Sequence, residues 1–383
     1  MVSVDMTGKK KKILMVHHGA GIGGAPKSMS LIARRLASSN YDVTVLLLKD
    51  SSAKRLFEDK NINLVISRVP IYYFYHMSKW VKFWEFHKLF SQMISFIVHL
   101  TIIAPYYLIK FKPDILYLNS SVLIDWGLAA RALKVKTLQH IRETIASGHL
   151  GLRRKLLSYY FKNIPTVVIN ISQHNEGRIL SSSNRPNNFH LVYNYSIAER
   201  RNEVPPRKRW DFIYLGGSAE IKGYPLLKSI LKENGTGSSI AICGSFNDSS
   251  FLDFMSKNRN ISYLGEIQDV MSRLSQSKFL LNLFFKPHFS RPIIEAFSSG
   301  CIPISTSYQG VEELLTNGVD GYIIPDECLN NPELMKTFLI GVINMDNKTR
   351  NEIIENGYMK YLTLFSHKNE DKILKILGDM SDL

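Results

Sequence analysis

Ser290-Arg-Pro-Ile-Ile-Glu295-Ala-Phe-Ser-Ser-Gly300-Cys-Ile-Pro303 is the stretch from which the rest of the chain can be ordered. It reads as a helix running into an apolar strand, Ile302-Pro-Ile-Ser305. Glu295 falls at the start of that helix, against small residues. A carboxylate is out of place there unless it caps the helix or accepts hydrogen bonds from hydroxyl groups, and the vicinal hydroxyls of a ribose suit it.

Outward from this segment the same alternation repeats. Upstream lie Phe212-Ile-Tyr-Leu215, Ser239-Ile-Ala-Ile-Cys243, Ile261-Ser-Tyr-Leu264 and Phe279-Leu-Leu-Asn-Leu283. An earlier series holds Ile13-Leu-Met-Val16, an amphipathic stretch over 27–38, and apolar runs at 43–48, 63–66, 113–118, 137–139 and 167–169. This βαβ rhythm predicts an α/β protein with two doubly wound parallel sheets. The polar, proline-containing stretch 200–209 separates them, giving an N-terminal domain over 1–200 and a C-terminal domain over 201–365. A helical tail, 366–383, follows, and packing back on the first domain is one arrangement open to it.

Composition agrees with that plan. At 383 residues the chain exceeds the size at which one core usually stops growing. Hydrophobic residues at 45% and charged residues at 21% exclude extended disorder. Cys243, Cys301 and Cys328 lie far apart with no CxxC pair, which speaks against a disulfide framework or a cysteine zinc site and fits a reducing cytoplasm. The lysine run 9–12 precedes an apolar stretch of only 13–16, too short for the core of a signal peptide.

Charge is divided unevenly. Residues 1–200 hold 28 Lys+Arg against 11 Asp+Glu, a balance of +17, whereas residues 201–383 hold 20 against 22, or −2. The basic half points to an anionic partner; nucleic acid, acidic phospholipid and a phosphorylated acceptor all fit the charge, but no nucleic-acid-binding module is recognisable, so we expect no nucleic acid. Between positions 72 and 90 stand nine aromatic residues, among them Trp80 and Trp84, interleaved with Lys79, Lys82 and Lys88. The apolar segment 93–109 follows, interrupted by Pro105. It reads as a buried or interfacial helix, and with Lys79, Trp80, Lys82 and Trp84 it forms a candidate surface for an acceptor or an anionic membrane.

Two glycine-bearing turns leave strands. Gly19-Ala-Gly-Ile-Gly-Gly24-Ala-Pro-Lys-Ser28 precedes the first helix, where glycine lets the backbone approach a phosphate at a helix N-terminus; a turn shaped only for packing is the other reading. Leu215-Gly216-Gly217-Ser-Ala-Glu-Ile-Lys222-Gly223 offers an ammonium that can meet a diphosphate; a solvated lysine is the other reading.

With these motifs the chain resembles the large retaining glycosyltransferase family of GT-B fold commonly called family 4, the glycosyl transferases group 1. The resemblance runs through the glycine turn, Lys-Pro-Asp-Ile-Leu at 112–116, Tyr193-Asn194, Lys222-Gly223, the segment from Arg291 to Gly300, Gly310-Val-Glu-Glu-Leu and Gly318-Val-Asp-Gly-Tyr. It implies two Rossmann-like domains facing an interdomain cleft, a nucleoside diphosphate-sugar donor and transfer with retention. Glu295 looks like the second glutamate of the family's pair, on the ribose; Lys222 looks like the lysine on the diphosphate. Gly23 and Gly24 match the loop that approaches that diphosphate, Asn194 lies in a matched motif, and His140 stands where a histidine contacts the donor sugar. A neutral core histidine remains the alternative for His140. No metal and no other cofactor is expected, and no DxD triplet appears.

Two positions depart from the pattern. The first glutamate of the pair would stand eight residues before Glu295, where the chain has Pro287, and the arginine expected five residues before Lys222 is Gly217. Arg291 or Arg142 are the cations available instead. The expected activity is transfer to a glycan or polyprenyl-linked acceptor in cell-surface polysaccharide synthesis, by a cytoplasmic protein peripheral on the inner membrane face. A catalytically silent subunit binding a partner transferase and a nucleotide-sugar epimerase are the competing expectations.

Overall fold

The computed structural model describes residues 10–19, 21–39, 41–67, 69, 86–180, 185–197, 207–232 and 237–382. They form two units, one of residues 1–194 with 368–383 and the other of residues 195–367.

The first unit alternates strand and helix: β1 (Lys11–His17), α1 (Gly24–Ala37), β2 (Tyr41–Leu47), β3 (Ile62–Ile66), α2 (Phe86–Val98), α3 (Ala104–Phe111), β4 (Ile115–Leu118), α4 (Ile124–Ala132), β5 (Lys136–Ile141), α5 (Leu152–Asn163), β6 (Val167–Asn170), α6 (Gln173–Ile179) and β7 (Phe189–Leu191). Its sheet has the order β3-β2-β1-β4-β5-β6-β7 with every pairing parallel. Leu14, Val16, Leu116 and Leu118 are fully buried beneath Trp126, which is why these strands read as unbroken apolar runs rather than alternating ones.

The second unit follows the same rule: β8 (Trp210–Tyr214), α7 (Tyr224–Lys232), β9 (Ile240–Cys243), α8 (Ser249–Lys257), β10 (Ile261–Gly265), α9 (Val270–Ser275), β11 (Ser277–Asn282), α10 (Arg291–Ser299), β12 (Ile302–Thr306), β13 (Tyr322–Ile324), α11 (Pro332–Ile343) and α12 (Asn347–Lys360). Its parallel sheet has the order β10-β9-β8-β11-β12-β13. The last helix, α13 (Lys368–Asp382), belongs to the first unit, where Ile373 and Leu377 are buried and Asn369 Nδ2 donates to the Tyr193 carbonyl at 3.2 Å.

Both sheets reverse their strand order at one place, between β1 and β4 and between β8 and β11. Chains leaving neighbouring strands there turn to opposite faces, which opens a crevice at the carboxyl ends, and that is where α/β proteins bind ligands. The three cysteines are buried, reduced thiols.

The apolar segment before β4 is one helical run over Phe86–Phe111. Pro105 does not break it: a π-helical turn, His99–Ile103, precedes α3, and the proline sits in the first turn of α3, where its missing N–H costs little.

Candidate active site

In the second unit the switch point is bordered by the turn after β8 and the loop after β11. The first turn is built on glycine. Gly223, at φ +82°, would place a Cβ 2.0 Å from the Leu283 carbonyl oxygen, so only glycine fits against the β11 loop. Lys222 ends a short 3-10 turn just before it, with its carbonyl accepting from Tyr214 Oη at 3.1 Å. The turn thereby sets Lys222 just beyond the carboxyl end of β8.

Beyond β11, Ser290 Oγ donates to Asn282 Oδ1 at 2.7 Å, and Asn282 Nδ2 donates to Ser305 Oγ at 2.9 Å. These bonds fix the loop that leads into α10. Glu295 is not at the start of α10: Ser290 is the N-cap, Pro292 lies in the first turn, and Glu295 stands in the second turn. It caps nothing. Its carboxylate, 9% exposed as a residue, accepts from Arg291 Nε at 2.7 Å, while Ser298 and Ser299 hydroxyls bond to its carbonyl. Arg291 is thus brought to Glu295. His288, in the same loop, stacks on Phe284 with ring centroids 3.7 Å apart and lies 5.1 Å from Tyr308. Sequence reasoning passed over it, although it directly follows Pro287.

In the first unit, Gly23 is the N-cap of α1, no side chain caps that end, and the first turn holds no acidic residue. A Cβ on Gly24 would meet nothing within 4 Å, so packing does not demand this glycine and space is left over the backbone. A positive helix end with open space beside it suits an anion.

Around that turn runs a polar network that brings the sequence candidates Arg142 and Asn194 together with residues the sequence did not single out. Asn119 Nδ2 donates to the Ala25 carbonyl at 3.2 Å and lies 3.3 Å from His17 Nδ1. Arg142 Nε donates to Asn119 Oδ1 at 3.0 Å, and Arg142 Nη1 donates to Asn194 Oδ1 at 2.6 Å. Glu143 accepts from Ser120 Oγ at 2.5 Å and from the Ser121 amide at 2.9 Å. Burial, aided by the His18 and Arg142 charges, pushes His17 down to about 3; burial also lowers His18, against the pull of Glu143. Arg142 and Asn194 were already candidates from the sequence; for His17, Asn119 and Ser120 the only signal was their place directly after strand-like runs.

His140 lies within β5, 1% exposed, with Nδ1 2.5 Å from Tyr117 Oη and Nε2 buried without a partner. Burial first and the Arg142 charge second hold it well below the usual histidine range, so the ring is neutral. Burial raises Tyr117 to about 12.

Lys79, Trp80, Lys82 and Trp84 lie outside the described residues. Just beyond them, the run over Phe86–Phe111 turns Phe86, Phe90, Met93, Ile97, Tyr106 and Ile109 outward, each roughly half exposed or more. Its opposite side buries Ser95, His99, Ala104 and Leu108, the last two against Trp126 and the β1–β4 core. Among the described residues no group of three His, Cys, Asp or Glu side chains is arranged to hold a metal ion.

Residues 196–360 match the family model of glycosyl transferases group 1. HepE of Anabaena, solved with UDP-glucose, is similar in structure, with a TM-score of 0.72 at 15% identity over 96% of this chain and 99% of that one. A glycosyltransferase of Rickettsia africae gives 0.70 at 14% identity over 97% and 98%. TarM of S. aureus, solved as a variant with UDP, fondaparinux and α-GlcNAc-glycerol, gives 0.69 at 11% identity over 97% and 100%. No curated protein is a recognisable sequence relative. The fold is the GT-B fold of these structures, and the matched segment is similar to glycosyl transferases group 1. The match to group 1 spans β8 through α12, the whole second sheet.

Proposed function

We propose that the protein transfers a sugar, with retention at the anomeric carbon, from a nucleoside diphosphate-sugar to a glycan or polyprenyl-linked acceptor in cell-surface polysaccharide synthesis. One observation carries this reading: Lys222 and Glu295 leave the adjacent strands β8 and β11 on the two sides of the switch point, in the segment that matches the family. In this scheme Glu295, held by Arg291, accepts from the ribose hydroxyls. The Lys222 ammonium meets the charge that grows on the departing diphosphate, an interaction stronger in the transition state than in the ground state. From the first unit, the α1 N-terminus at Gly23 and Gly24, Asn194 with its bond from Arg142, and neutral His140 are the proposed donor contacts. The scheme needs no metal or other cofactor. HepE was solved with UDP-glucose, which supports a nucleotide sugar as the ligand class.

We further infer that the first unit is peripheral on the anionic inner face of the cytoplasmic membrane. The run over Phe86–Phe111 is long and apolar enough to cross a bilayer. Its inward side, however, is part of the unit's core, so lying in the interface keeps that packing, whereas spanning would break it.

The test is a screen of UDP- and GDP-sugars by thermal shift, followed by nucleoside diphosphate release from those that bind. A ligand that binds only the folded state raises the melting temperature. Stabilisation and turnover by one nucleotide sugar are expected; no stabilisation by any contradicts the donor reading. Pro287 and Gly217 favour one rival, a silent subunit, for which binding without turnover is the signature.

A further inference from the structure

The loop between β11 and α10 carries a histidine that the scheme above leaves unused. It is a well-held residue: Thr306 Oγ1 donates to the Phe284 carbonyl, Ser290 Oγ to Asn282 Oδ1, and Phe289 packs edge-on against Phe365 with centroids 5.9 Å apart. Between these ties the His288 ring is clamped on Phe284.

Its hydrogen-bonding state follows from its neighbours. Nδ1 lies 3.2 Å from the Lys286 carbonyl oxygen, which can only accept, so Nδ1 bears the proton. Burial, with the Lys222 charge adding to it and the Lys286 bond opposing it, lowers the imidazole to about 4. At neutral pH the ring is therefore uncharged and Nε2 is an acceptor. That Nε2 is buried and has no partner. A buried acceptor without a donor is costly and is rarely kept in a folded protein unless something occupies it. A phosphate oxygen cannot, because it too is an acceptor; a hydroxyl group can.

We propose that His288 is a donor-specificity residue, whose Nε2 accepts a hydrogen bond from a hydroxyl of the sugar, next to the Lys222 ammonium on the diphosphate. The proposal rests on the nucleotide-sugar reading above. Pro287 has no side-chain acceptor, and its neighbour His288 supplies one.

The test compares His288→Phe, which keeps a stacking ring without an acceptor, with His288→Gln, which keeps an acceptor. Dissociation constants are measured by calorimetry for UDP, UDP-glucose, GDP and GDP-mannose, with melting curves to verify folding. In His288→Phe the nucleotide that binds should keep its constant within about 2-fold, while its sugar derivative weakens by about 10-fold. His288→Gln should recover part of that loss. A sugar-to-nucleotide ratio unchanged in His288→Phe overturns the proposal and leaves the donor reading standing. Equal weakening of nucleotide and sugar nucleotide also overturns it, since the ring would then only shape the loop. If the wild type binds none of the four, the donor reading falls and the proposal with it.

Discussion

A Cβ on Gly217 would come within 2.8 Å of the Ser245 carbonyl oxygen. The turns after β8 and β9 meet there: Gly217, at φ +60°, donates its amide to the Cys243 carbonyl at 3.1 Å, and the Ser218 amide donates to Ser245 at 3.0 Å. The cation that the family pattern expects at this position has no room, and Lys222 is left as the principal one in the turn.

Gly217→Arg should therefore fail to restore a second cation. A side chain at positive φ, against backbone rather than a yielding side chain, should cost about 1–3 kcal/mol. Thermal unfolding checks this. An unchanged melting temperature with tighter donor binding would show that the turn can open.

Glu295→Gln should weaken donor binding by about 1.5–3 kcal/mol, because charge-assisted bonds to ribose hydroxyls are lost. The helix should survive, since the Ser298 and Ser299 bonds run to the Glu295 carbonyl rather than to its carboxylate. Calorimetry with the donor, beside a melting curve, separates the roles. Normal binding with early melting would make Glu295 only an anchor for Arg291.

The sequence made the two parallel sheets legible because most strands buried on both faces are apolar throughout; Ile240-Ala-Ile-Cys243 is wholly buried and reads as a run. β7 and β13 escaped, being three residues each and at the sheet edges, too short to show a period. The misplaced start of α10 had a signal in Pro292, a residue favoured in first turns. The Asn119–His17 contact joins positions 102 residues apart, and no local pattern encodes it. His288 was hidden for another reason: its significance lies in an unpaired nitrogen, which only geometry reveals.

Liposome co-sedimentation should depend on anionic lipid and fall with added salt, because screening shortens the reach of the +17 balance in residues 1–200. Replacing Phe90 and Ile97, both exposed on the apolar side, with serine should weaken binding without lowering the melting temperature. Equal binding to neutral and anionic vesicles would remove the electrostatic part of the account.

The central claim is that the turn after β8 stabilises a departing diphosphate, and Lys222→Ala addresses it most directly. Steady-state kinetics with the donor found by the screen, on protein verified as folded, should show both kcat and donor affinity reduced, with kcat/KM down by roughly 10²-fold or more. Lys222→Arg should restore only part of this, a planar fork being a poor copy of a compact ammonium. A wild-type kcat/KM in Lys222→Ala would contradict the account and move the diphosphate to another cation, with Arg291 the first to examine.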